Sequence, residues 1–182
     1  MSVTITKKTL TIGHSCETLT TQFEVERYVV EGDELAFEAT LKLDKKIVVR
    51  LVLEWQRNAA GQFNLFVRSF DNYASSRSSG VKERFTDTQI ESLRGIGHRM
   101  FCLLLDIVTQ DENVQSGNDT LVRLVAESQS ENSTVEDDKV LARYYETFGF
   151  QHYDNPDVDE GIPMRATVKQ LRMGCERRLA KE

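Results

Sequence analysis

The sequence predicts an α+β protein with a mixed, mostly antiparallel central sheet of about seven strands, flanked by helices. Three observations predict this class. Five segments with strand-like patterns and short turns precede the first long helical segment. A helix, a strand, a helix and two further extended segments then follow, and a helix at residues 169–182 ends the chain. We expect residues 1–182 to form a single domain, because a chain of this length can bury a substantial core.

The five early strands are marked by alternating apolar residues or by β-branched runs. They cover residues 3–12, 23–30, 35–43, 47–55 and 62–70. Short polar segments separate the later four strands, and Glu31-Gly32-Asp33 is typical of a tight hairpin turn. The pattern therefore predicts an antiparallel meander.

The segment at residues 71–91 connects this meander to the helical segment that follows it. Its first part is polar and serine-rich, and it carries Arg77, Lys82 and Arg84. Because connections of this length are unusual in compact proteins, we interpret the segment as an insertion or a mobile connection. Its cations suit a phosphate group, but the favoured interpretation is a solvated loop.

Residues 86–108 carry apolar residues at helical spacing, and the pattern of Thr86 and Gln89 is typical of a capped helix start. Two interpretations are open. One is a single continuous helix. The other is a loop at residues 92–97 followed by a helix from residue 98 to about residue 108, since Gly95 and Gly97 would each cost about 1 kcal/mol relative to alanine inside a helix. In that second case, backbone amides and the helix dipole form an anion site.

Residues 120–150 predict a strand at residues 121–126, a polar loop and a helix that ends before Gly149. An extended run at residues 150–153 follows. We expect the helix to connect two neighbouring strands, with Tyr145 facing the crevice where ligands bind in such sheets. An acidic loop then leads to a last strand at residues 162–168.

Two of these segments resemble motifs of the GCN5-related N-acetyltransferase superfamily, in the family's order. The segment YYETFGF at residues 144–150 resembles the family signature LYEKLGF, and RGIG at residues 94–97 resembles the pyrophosphate loop. Three residues depart from the family pattern: Ser92 replaces a glutamine or arginine, Asp138 an asparagine, and Leu141 an alanine. The chain also shows no clear helices after the first strand, where the family has helices that help to form the acceptor pocket.

The resemblance implies a divergent GNAT-like fold and transfer of an acetyl group from acetyl-CoA (coenzyme A) to an amine. The acceptor would be a small molecule, a protein lysine or a protein N-terminus. Tyr145 would be the general acid that protonates the thiolate of coenzyme A, and Glu54 and Glu127 are candidates for the base. The implied cofactor-binding residues are Phe66, Val67, Arg68, Ser69, Ser92, Leu93, Arg94, Gly95, Ile96, Gly97, His98, Asp138 and Tyr145.

A second hypothesis is an interaction protein that keeps this fold, has lost catalysis and binds a macromolecular partner. The serine at position 92, the missing early helices and the long segment at residues 71–91 favour it. We expect His98 to line the surface rather than to act in chemistry. Whether the chain forms a homodimer stays open.

Charge, cysteine spacing and the lengths of apolar runs argue against a nucleic-acid-binding protein, a metalloprotein and a membrane protein. The formal net charge of -6 disfavours a general nucleic-acid-binding surface and permits attraction for a cationic amine. Cys16, Cys102 and Cys175 are widely spaced, so we expect reduced thiols in a cytoplasmic protein. No cluster has metal-ligand spacing, and no apolar run has the roughly 18 residues of a membrane span, so we predict neither a metal nor membrane insertion.

Overall fold

The computed structural model describes residues 1–14, 17–75, 77–128 and 132–181. Within these residues it contains eight strands and five helices, which confirms the predicted α+β class with one strand more than the approximate count. In chain order, the elements are β1 (Ser2–His14), β2 (Glu17–Glu31), β3 (Glu34–Leu43), β4 (Lys46–Arg57), β5 (Phe63–Asn72), α1 (Val81–Arg84), α2 (Asp87–Ser92), α3 (Ile96–Gln110), β6 (Leu121–Ala126), α4 (Val135–Glu146), β7 (Gln151–His152), β8 (Ile162–Thr167) and α5 (Val168–Leu179).

The strands form one mixed, mostly antiparallel sheet in the order β1-β2-β3-β4-β5-β6-β8-β7. β5 and β6 run parallel, whereas β6 and β8 are antiparallel. We expected the strand after α4 to lie next to β6, and this was wrong, because β8 lies between β6 and β7. Every residue of β6 pairs with β8, whereas β7 contributes only two residues to the sheet, so the longer strand occupies the inner position.

Contacts divide the chain into two compact units. The first comprises Met1–Glu54 and Arg68–Gln110, and the second comprises Trp55–Val67 and Asp111–Glu182. Between β1 and β5, the described residues contain strands and turns without a helix, as the sequence predicted. The hairpin turn before β3 has Gly32 with a φ of 53°.

The first unit has a core of aromatic and aliphatic side chains from its strands and from α3. α2 packs against β1 and β2, and α3 packs against β3. Alternate residues of β2 are buried, because successive side chains of a strand point to opposite faces. The largest fully buried side chains here include those of Phe23, Phe37, Leu41, Leu51, Met100 and Phe101.

The segment at residues 71–91, which we interpreted as an insertion or mobile connection, contains α1 and α2. Val81 and Phe85 are buried at 7% and 3% exposure, so this segment contributes apolar side chains to the protein interior. The guanidinium of Arg84 donates to the carbonyl of Ser79 at 2.8 Å and lies 5.2 Å from the ring centre of Tyr73.

The segment at residues 86–108 is two helices, so the interpretation as one continuous helix is wrong. Thr86 caps α2 with the predicted capping box, and α2 ends at Ser92. Gly95 has a φ of 78°, a left-handed conformation that an α-helix cannot contain. α3 then begins at Ile96, two residues before the predicted start.

The second unit places α4 against β6 and β8, and α5 against β8. Val122, Leu124 and Ala126 alternate along β6 and are almost fully buried. α4 begins earlier than the predicted apolar stretch, because Thr134 and Asp137 form a capping box. Gly149 follows the helix with a φ of 113°, which confirms the predicted stop.

The cysteines differ from expectation. Cys102 and Cys175 are both disulfide-bonded, which corrects the prediction of reduced thiols for these two residues, whereas Cys16 lies outside the described residues. Disulfide formation depends on the distance between Cα atoms, which the spacing of cysteines along a sequence does not reveal. The cysteines therefore no longer support a cytoplasmic location.

Candidate functional site

The turn between α2 and α3 carries unpaired backbone donors. We call residues 93–97 the glycine turn. The amide of Arg94 donates to the carbonyl of Glu91 at 3.2 Å, and the amide of Ile96 donates to that of Leu93 at 3.1 Å. Within the described residues, the amides of Gly95 and Gly97 have no hydrogen-bond partner. Two donors therefore remain at the N-terminus of a 15-residue helix, where the dipole favours an anion.

Side chains of this segment hold the glycine turn in place. Leu93 and Ile96 are both 2% exposed, so they anchor the two sides of the turn in the core. Ser92 is also buried, and its hydroxyl lies 3.5 Å from the carbonyl of Glu17, at the limit of a hydrogen bond. The guanidinium of Arg94 is exposed and pairs with the carboxylate of Glu91 at 2.7 Å.

His98 is buried at 2% exposure, so the expectation of a surface histidine was wrong. Because α3 begins at Ile96, His98 lies three and seven residues before Phe101 and Leu105 and shares their face of the helix. Those two residues are each 1% exposed. The face is therefore the buried one.

The predicted residues of β5 alternate in exposure. Phe66 is half-buried, Val67 is 7% exposed, Arg68 is exposed and Ser69 is half-buried. The parallel register of β5 and β6 contains the pairs Leu65 with Val122 and Phe66 with Arg123. Both strands continue beyond these pairs.

Tyr145 lies in a group of aromatic rings that we call the aromatic cluster, formed by Tyr144, Tyr145, Phe148 and Phe150. The ring of Tyr145 is 6.2 Å from that of Phe148 and 6.0 Å, edge to face, from that of Phe150. Tyr145 is only 7% exposed. Burial also raises the pKa of the neighbouring Tyr144 to about 12, because the charged phenolate is poorly solvated there.

Asp138 connects the end of β6 to the start of α4. Its Oδ1 accepts a hydrogen bond of 2.8 Å from the backbone N–H of Ser128. Its carboxylate also lies in the first helical turn, together with Glu136 and Asp137, where negative charge complements the helix dipole. The hydrogen bond and the helix dipole explain how Asp138 is accommodated at a position where the family pattern has an asparagine.

The second unit also contains a cavity of about 240 Å³ that sequence reasoning missed. Arg57, Asn64, Phe66, Arg123 and Tyr153 are among its lining residues. The one signal for it was an arginine in the middle of the alternating apolar strand β6. The arginine indicates a site only once the pairing of β6 with its neighbouring strands is known.

The predicted site residues are divided between the two units. Phe66, Val67, Asp138 and Tyr145 belong to the second, and Arg68, Ser69 and residues 92–98 belong to the first. In the described residues, no group of three or more His, Cys, Asp or Glu side chains is arranged to hold a metal ion. Among the same residues, no helix has the length and apolar character needed to cross a membrane.

Comparison with known proteins found six similar solved chains, among them the following two structures. No family model and no curated protein matches the chain. One structure is Arabidopsis thaliana Naa50 in complex with the bisubstrate analogue CoA-Ac-MVNAL, with a TM-score of 0.41 and 12% identity over 71% of this chain and 72% of that chain. The other is a protein of unknown function from Aquifex aeolicus, with a TM-score of 0.33 and 13% identity over 93% of this chain and 80% of that chain.

Proposed function

We propose that this chain transfers an acetyl group from acetyl-CoA to an amine of a small molecule or of a protein. The observation that carries the proposal is the pair of unbonded amides at Gly95 and Gly97, at the start of α3. Such amides, together with the positive end of a helix dipole, suit a pyrophosphate. The order of elements around them, from β5 through the glycine turn, β6 and the Tyr145 helix, also supports the proposal.

Several of the predicted residues then have defined roles. The amides of Gly95 and Gly97 would hold the pyrophosphate, and the backbone of β5 from Phe66 to Ser69 would bind the pantetheine arm. Acetyl-CoA supplies the acetyl thioester. Asp138 acts indirectly, because it positions the end of β6 through Ser128.

The transfer requires two proton movements. The nitrogen of a neutral amine attacks the thioester carbonyl, the carbon–sulfur bond breaks, and the sulfur leaves with a proton from the phenol of Tyr145. A base removes the extra proton from the amine. Glu54 and Glu127 are the two candidates for this base, and both are half-buried.

One observation favours the second hypothesis, an interaction protein without catalysis that binds a macromolecular partner. Arg94 is the cation of the glycine turn, and it is already paired with Glu91. Ser92 adds no charge, so the turn would bind a diphosphate mainly through its amides. The pair does not exclude acetyl-CoA binding, because a surface ion pair typically contributes up to about 1 kcal/mol and a phosphate can displace it.

Isothermal titration with acetyl-CoA tests the proposal. We expect micromolar binding by the native chain, and a loss of at least about tenfold in Gly95→Glu and Gly97→Glu, because a carboxylate beside the two amides would repel the phosphates. Gly61→Glu is the matched control for Gly95→Glu, since Gly61 has the same φ of 78° and no atom within 4 Å of an added Cβ.

Retained acetyl-CoA binding in Gly61→Glu would show that the loss in Gly95→Glu comes from the phosphate site. It would exclude the general cost of placing a non-glycine residue at a left-handed backbone angle. Absence of binding by the native chain at millimolar acetyl-CoA would remove the proposal and favour the non-catalytic hypothesis. Once binding is established, a screen of polyamines, aminoglycosides, amino acids and peptide amines identifies the acceptor by release of free coenzyme A thiol.

A further inference from the structure

The cavity in the second unit has a positively charged wall. Arg57 and Arg123 line it, and its other lining residues within the described chain include no Asp and no Glu. The chain as a whole has a net charge of -6, so this local charge is opposite to the average. The acidic loop at residues 154–160 contributes Asn155 and Val158 to the lining, but none of its carboxylates.

Arg123 has a buried donor without an acceptor. The Nε atom of Arg123 is inaccessible to solvent and, within the described residues, has no hydrogen-bond partner. A buried donor left without an acceptor is destabilising, and more so when it belongs to a charged group. A bound oxygen anion would remove this cost, because a guanidinium can donate two parallel hydrogen bonds to a carboxylate or a phosphate.

The strand register places a second arginine beside the first. Arg123 of β6 is directly opposite Arg165 of β8, and directly opposite residues project from the same face of a sheet. Like charges in this arrangement are destabilising. The guanidinium of Arg165 lies 4.8 Å from the ring centre of Tyr153, a lining residue, so both cations are held near the cavity.

Polar groups on the wall can complete the coordination of an anion. Tyr153 accepts a hydrogen bond of 3.2 Å from Nδ2 of Asn155, and it therefore keeps its own hydroxyl proton for another acceptor. Asn64 is 8% exposed and also lines the cavity. The remaining wall includes apolar groups from Phe66, Val125 and Val158.

The volume limits what can bind. The cavity has a volume of about 240 Å³, which is smaller than the roughly 300 to 1,000 Å³ of sites for drug-sized ligands. It can therefore enclose an anionic group with a short apolar substituent, whereas most of a coenzyme A molecule would extend beyond it.

We propose that this cavity binds a small organic anion, through a carboxylate or phosphate group on Arg123 and a short apolar part against Phe66, Val125 and Val158. The site lies wholly within residues of the second unit. It does not depend on acetyl transfer, so it would stand if acetyl-CoA failed to bind. If the chain does transfer acetyl groups, the same chemistry favours acceptors that carry an acidic group beside the amine.

Two-dimensional amide NMR of the full chain tests the site. The probes are 2-methylpropanoate, its neutral analogue 2-methylpropanamide, and inorganic phosphate. We expect saturable shifts around Arg123, Val125 and Asn155 with at least one anion at millimolar concentration and none with the amide. Saturation by 2-methylpropanoate identifies a carboxylate site, and saturation by phosphate alone identifies a phosphate site.

Variants separate the site from nonspecific attraction. Arg123→Gln should weaken anion binding about tenfold to a hundredfold, because a hydrogen bond to a charged group is lost. Arg143→Gln removes the same charge from an exposed position of α4 and should leave binding unchanged. Val158→Phe keeps the two lining arginines, Arg57 and Arg123, and fills the cavity, so it should also abolish binding. This variant tests the site independently if Arg123→Gln fails to fold. Absence of saturable shifts with both anions, or equal weakening by Arg123→Gln and Arg143→Gln, would overturn the proposal.

Discussion

Gly174 of α5 packs directly against the backbone carbonyl of Phe148, which follows α4. A Cβ atom at position 174 would collide with the carbonyl oxygen and would lie 3.0 Å from the carbonyl carbon of Phe148. Gly149 makes a similar approach, since its Cβ would lie 3.2 Å from the carbonyl oxygen of Gln170. Glycines at both positions therefore allow α5 to pack closely against the end of the helix that carries Tyr145.

Gly174→Ala tests this packing through the sign of its effect. Alanine normally stabilises a helix by about 1 kcal/mol relative to glycine. Here we expect a loss of about 1 to 2 kcal/mol in the free energy of unfolding, because overpacking costs about 1 to 3 kcal/mol. Urea unfolding measures the difference. Gly117→Ala is the control, since nothing lies within 4 Å of its added Cβ, and a stabilised Gly174→Ala would contradict the close approach.

Asp138→Ala should lower the free energy of unfolding by about 1 kcal/mol, because Ser128 N–H loses a charged acceptor at a half-buried position. Asp138→Asn keeps an acceptor oxygen in the same place and should lose less than half as much. Chemical denaturation of the two variants beside the native chain checks the order. Equal stability of Asp138→Ala and the native chain would show that this hydrogen bond contributes nothing.

Tyr145→Phe should reduce acetyl transfer roughly ten- to a thousandfold and leave the affinity for acetyl-CoA nearly unchanged, as expected on loss of a general acid. The aromatic cluster keeps its ring, so stability should change little. Turnover is measured by thiol release and affinity by titration. Tyr144→Phe removes a neighbouring hydroxyl from the same helix and serves as the control, and full turnover in Tyr145→Phe would remove Tyr145 from the mechanism.

Tyr144 makes stability depend on pH in the alkaline range. Burial raises its pKa from 10.0 to about 12 in the folded protein, so the unfolded chain loses this proton first. The resulting stabilisation is fully present below pH 10 and is lost as the pH rises towards 12, with about 1 kcal/mol lost by pH 11. Urea unfolding at pH 9 and pH 11 should show this loss in the native chain relative to Tyr144→Phe. Parallel pH profiles for the two proteins would contradict it.

Sequence reasoning predicted the features that depend on a few neighbouring residues. The capping box of Thr86 and the helix stop at Gly149 are both present, and the helix break before α3 was one of the two interpretations that the sequence left open. Each depends on a local hydrogen bond or on a left-handed backbone angle, and a capping threonine or a glycine in the sequence indicates that feature directly. The α+β class followed from the same local patterns.

Features set by pairing between distant segments could not be predicted in the same way. Predicting the burial of His98 required knowing which face of α3 packs against the core. Predicting that β8 lies between β6 and β7 required knowing how many residues each pair of strands shares. The sequence contains Arg123 and Arg165 as separate arginines, and only the register of β6 and β8 places them opposite each other. Local patterns thus determined the elements and their ends, whereas tertiary packing decided which charges lie opposite each other, because electrostatic and steric contacts depend on distance in space rather than along the chain.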